Sequence, residues 1–134
     1  MKNNNRLLLI LSLIGTLLIA QMAHSNQKND IIAMFDQFVI SDTAAKQCIT
    51  PSQELFSQFV TNFDVVSNFA FRELIKKHPN ITKEKISKTM ALKARSLILT
   101  TKHMVRIRGC TDPDIQSIVA RYHLHAKWEP VQSF

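Results

Sequence analysis

The chain predicts a small all-α bundle of about four helices, held by one disulfide and preceded by a cleavable signal peptide. Three observations carry this expectation. The N-terminus holds an apolar run, glycine is nearly absent, and two cysteines each lie just ahead of a helix-start signal.

Lys2 and Arg6 form a short positive segment. Leu7 to Ala20 is an apolar run broken only by Ser12, Gly15 and Thr16, and Ala23-His24-Ser25 places small residues ahead of Asn26. This is the layout of a secretory signal. The run is shorter than the ~20 apolar residues that span a bilayer comfortably. Residues 1–25 are therefore read as the signal peptide. Residues 26–134 are read as a single helical domain, periplasmic or secreted, with no transmembrane segment in the mature chain.

Glycine occurs at Gly15 and Gly109, so only Gly109 survives removal of the signal. Hairpin turns need residues that tolerate positive φ. Phosphate loops and dinucleotide fingerprints need several glycines at fixed spacing. Both classes are disfavoured, and helices joined by short turns remain.

Cys48 and Cys110 are an even pair in a chain read as exported, which points to a disulfide. A bridge between them would close a loop worth about 4 kcal/mol in the chain-entropy account. Neither belongs to a Cys-x-x-Cys redox motif.

The first helix is expected from Asp30 to Lys46, with Ile31, Met34, Phe35, Phe38 and Ala45 on one side. Ser41-Asp42-Thr43 is a candidate break within it. The second is expected to start at Thr50, with Pro51 in the first helical position and Gln53 closing a capping box. Phe56, Phe59, Phe63, Val66, Ala70 and Leu74 then recur every three or four residues, so this apolar helix is expected to sit centrally. Pro79 ends it near Lys77. The third is expected from Thr82 to about Arg106, with Ile86, Met90, Ala94, Leu97, Ile98, Met104 and Val105 inward and Gly109 as a left-handed cap. Asp112-Pro113 opens the fourth, which turns Ile115, Ile118, Val119, Tyr122 and Ala126 inward. The tail from Trp128 is expected to be irregular. In an up-down-up-down bundle the two cysteine-bearing turns fall at one end, in agreement with a bridge.

Charge is lopsided. Lys76 to Arg108 holds ten basic residues and one acid, Glu84. At 100° per residue, Lys85, Lys88, Arg95, Lys102, His103 and Arg106 fall within an arc of about 100° opposite the inner stripe. Leu92 and Leu99 lie inside that arc. One reading is a solvated outer face. The other is a docking face for an anionic membrane surface, an envelope polymer or an acidic protein, with Lys85, Lys88, Leu92, Arg95, Leu99, Lys102 and Arg106 as its binding residues. Nucleic acid is not expected as the partner, because aromatic residues do not interleave with this face.

Catalytic and metal signatures are sparse. His123 and His125 are two apart and point to different sides of a helix, whereas helical zinc ligands need a spacing of three or four. No nucleophile motif occurs within residues 26–134, so no catalytic residue, metal or cofactor is assigned. An apolar-ligand carrier built around Phe56, Phe59 and Phe63 is the alternative from another class. A small hydrolase using His123 or His125 is a third reading.

The layout resembles that of small exported helical proteins in which one bridge joins two helix-starting turns. These include bacterial acid-stress chaperones and the immunity proteins of type VI secretion amidases. Cys48-Ile-Thr-Pro, His78-Pro79 and Cys110 are similar to the latter over a handful of positions. An immunity or chaperone-type periplasmic role is what that resemblance implies.

Overall fold

Each helix opens on a side chain that accepts hydrogen bonds from its own first turn. The computed structural model describes residues 30–129, so the signal assigned to residues 1–25 lies outside the described residues. Four helices follow in order: α1 (Ile31–Cys48), α2 (Gln53–Lys77), α3 (Lys83–Arg108) and α4 (Pro113–Ala126). Their caps are Asp30 to the Ile32 amide (3.1 Å), Ser52 to Leu55 (3.2 Å), Thr82 to Lys85 (3.3 Å), and Asp112 to Asp114 and Ile115 (3.0 and 3.3 Å). Each satisfies donors that the helix leaves unpaired at its start.

Two local expectations are corrected. Ser52, not Thr50, caps α2, so Gln53 is the first helical residue and forms no capping box. The chain stays extended at Ile49, which packs against the core, and it needs two further residues to turn into α2. Ser41-Asp42-Thr43 does not interrupt α1. The two hydroxyls donate back to the carbonyls of Phe38 (3.2 Å) and Val39 (2.7 Å), and Asp42 pairs with Lys46 at 2.6 Å. Polar groups that would compete with a helix are absorbed by it.

The central helix is α1, not α2. α1 and α2 each pack against all three others, but α1 buries eight residues and α2 three, and α3 and α4 barely meet. Ser41, Thr43, Ala44 and Ala45 are all buried, and these small residues let neighbours approach from several sides. α2 buries Phe59, Val66 and Ala70, but leaves Phe56 and Val60 exposed.

Contacts fix the directions. Phe38 meets Phe59 and Phe35 meets Phe63, so α1 and α2 are antiparallel. Phe59 stacks on Tyr122, while Asn62 reaches His125 and Ala126, so α2 and α4 are parallel. The Cys48–Cys110 disulfide joins the end of α1 to the turn after α3, with Cα atoms 5.4 Å apart. The expected up-down-up-down order and the bridge are both present.

The core has two parts. An aromatic cluster is built on Phe35, Phe38, Phe59 and Tyr122, and a smaller cluster of Ala44, Val105 and Ile115 lies beside the disulfide. Trp128 has no regular structure, yet it packs edge-on to Phe38 at 6.3 Å. No helix among the described residues is long and apolar enough to cross a membrane.

Candidate functional site

α3 is held by one side and open on the other. Ile86, Thr101 and Val105 are buried, and Met90, Ala94, Leu97 and Ile98 pack against the aromatic core. Lys93 reaches inward to Asp36 of α1 at 2.6 Å and ties the two helices. Arg108 pairs with Asp112 at 3.2 Å and with Asp114, which locks the turn into α4. Bonds to Asp114 and then Asp112 hold the Arg108 guanidinium above its ordinary range.

Opposite this anchored side, Lys85, Lys88, Leu92, Arg95, Leu99, Lys102 and Arg106 are all exposed. Leu92 and Leu99 each keep 59% of their surface open to solvent. Among the described residues, Lys85, Lys88, Arg95 and Lys102 have no ion-pair partner, while Arg106 donates to His103 Nδ1 at 3.0 Å. Glu84, the single acid of the segment, sits in the first turn of α3. One residue beyond Arg106, α3 carries another exposed apolar side chain. Ile107 is 67% exposed and lies about 40° beyond the arc at 100° per residue.

His123 and His125 diverge as their spacing requires, with His123 exposed and His125 half-buried. His125 lies on Phe38 and places Nδ1 2.9 Å from Ser41 Oγ. A hydroxyl beside an imidazole is nucleophile chemistry only where a substrate can reach it. Ser41 is 0% exposed, and its hydroxyl also bonds the Phe38 carbonyl, so this pair closes the core. Burial, and then the charge of Arg121, pushes the His125 pKa down to about 4. Among the described residues, no group of three or more His, Cys, Asp or Glu side chains is placed to hold a metal ion.

Open grooves mark the surface among the described residues. One of about 410 Å³ separates α3 from α4, with Ile40 of α1 among its lining residues. One of about 440 Å³ lies between α2 and the end of α4, and one of about 310 Å³ lies beside the disulfide. None is lined by Phe56, Phe59 or Phe63. Phe59 and Phe63 are occupied instead by ring contacts with Phe35, Phe38 and Tyr122. None of the grooves includes a residue of the α3 arc either.

In comparisons with known proteins, the chain matches no family model, no curated protein and no solved structure. The likeness to immunity proteins rests on the few residues quoted above.

Proposed function

We propose that this protein is a non-catalytic binding module that captures an anionic partner on the outer flank of α3. The observation that supports this reading is the row of exposed cations, of which Lys85, Lys88, Arg95 and Lys102 have no ion-pair partner among the described residues, set around two exposed leucines. Cations grouped on one flank raise the local concentration of anions and speed their capture. Leucines among them add contact that water gives up readily. The Cys48–Cys110 bridge and the signal-like residues 1–25 support a place outside the cytoplasm, in the periplasm or beyond.

Retention on immobilised dextran sulfate tests the reading. The triple variant Lys88→Glu, Arg95→Glu, Lys102→Glu changes only exposed side chains, so its helix content and melting temperature serve as fold controls. The variant is expected to elute at markedly lower salt than the wild type. Equal elution would remove the basis of the proposal.

A further inference from the structure

We infer that the partner of the α3 flank is a membrane leaflet rich in anionic phospholipid, along which α3 lies with Leu92 and Leu99 set below the headgroups. This rests on the proposal that the flank binds anions. What it adds comes from the order of the residues along the helix.

Lys88, Leu92, Arg95, Leu99, Lys102 and Arg106 follow one another at spacings of four, three, four, three and four. On a helix that is a single file, with cations and leucines in one line. Leu92 has Lys88 one turn before it and Arg95 one turn after. Leu99 has Arg95 before it and Lys102 after.

The same spacing is a seam that a partner helix could in principle take. Such a partner would have to bury Arg95 between the two leucines, with Lys88 and Lys102 in the same line one turn beyond each of them. Burying charges without close partners is strongly unfavourable. A leaflet removes that conflict. Long basic side chains bend back toward phosphate groups while apolar side chains descend past them.

Shape agrees. The row runs along the outer, convex side of one helix for about 30 Å at 1.5 Å per residue, with every member exposed. A broad, soft, uniformly negative surface fits a convex row of cations. A folded protein partner would need a matching trough. The opposite side of α3 stays fixed to the core through Ile86 and Val105, so docking requires no unfolding.

Co-sedimentation with vesicles tests this. Oxidised protein of residues 26–134, the chain expected after removal of the signal-like residues 1–25, is used so that the apolar run Leu7 to Ala20 is absent from the assay. The vesicles are phosphatidylglycerol and phosphatidylcholine at equal weight, compared with phosphatidylcholine alone. Binding is expected only to the mixed vesicles. Each cation near an anionic leaflet contributes about fivefold, so the triple charge reversal is expected to cost more than about 100-fold. Leu92→Ser with Leu99→Ser is expected to lose on the order of tenfold on vesicles and to keep wild-type retention on dextran sulfate. Wild-type retention on dextran sulfate with no binding to the mixed vesicles would overturn the lipid assignment and leave the anion-binding proposal standing. Vesicle binding by the leucine variant equal to wild type would also overturn it. Loss of both interactions in the wild type would remove the broader proposal. Melting temperatures near wild type, with the bridge intact, show that each variant is folded.

Discussion

The imidazole of His125 lies flat on the Phe38 ring, with centroids 4.0 Å apart and planes 9° from parallel. It couples the last helix to the middle of the central one. An unfolded histidine titrates near 6.5, and this one is pushed down to about 4 by burial and by Arg121. Between those values the unfolded chain binds the extra proton. Stability therefore falls as pH drops from about 6.5 toward 4, and the loss levels off below that. The effect is about 1–2 kcal/mol after discounting for partial exposure. Urea midpoints at pH 7.5 and 4.5 measure it. His125→Phe keeps a ring on Phe38 and removes the proton site, so its midpoint is expected to change much less between the two pH values. An unchanged pH dependence would mean that another group carries it.

Asn62 closes the C-terminal end of α4. Its side-chain amide donates to the carbonyls of His125 (2.9 Å), Ala126 (3.1 Å) and Trp128 (2.7 Å). These include carbonyls that α4 leaves open where it ends. Asn62→Leu removes both donors in a half-buried setting, and a loss of about 1–3 kcal/mol is expected. Hydrogen exchange is expected to rise first at the end of α4. A uniform rise across all helices would contradict the local role.

Gly109 ends α3 at φ 79° and ψ 159°. This is not the left-handed cap that the sequence suggests, but an extended positive-φ conformation nearly confined to glycine. A Cβ placed there would meet nothing within 4 Å, so the strain of Gly109→Ala lies in the backbone alone. A loss of about 1–3 kcal/mol is expected in chemical denaturation. A neutral result would show that the turn relaxes into another conformation.

Much of the fold is legible in the residues because its determinants are local. Asp30, Thr82 and Asp112 announce three helix starts, and Pro79 and Gly109 mark two ends. The central place of α1 is not legible. Its buried positions include Ser41, Thr43, Ala44 and Ala45, which carry little hydrophobic signal. Their value lies in small size, and that appears only when three neighbours close in. The phenylalanine row of α2 draws the eye, yet Phe56 remains 40% exposed at its edge. The exposed arc of α3 is legible because charge and helical phase coincide. Ile107 is not, since the end of α3 depends on the pairing of Arg108 with Asp112 and Asp114.

The bridge joins residues 62 positions apart. The chain-entropy account puts its loss at up to about 4 kcal/mol. Cys48→Ala with Cys110→Ala is expected to lower the denaturation midpoint strongly while native helix content is kept at neutral pH. Ala44, Val105 and Ile115 pack beside it, so this end is expected to exchange amide protons before the aromatic cluster does. A melting curve equal to wild type would contradict a stabilising role for the staple.

Whether anions meet this molecule on α3 is decided most directly by amide chemical-shift mapping. Oxidised protein of residues 26–134 would be titrated with small bicelles containing phosphatidylglycerol. Perturbations confined to Lys85 through Ile107, with the amides of α2 unmoved, are the expected result. Shifts centred on the groove between α2 and the end of α4, with those α3 amides silent, would contradict it.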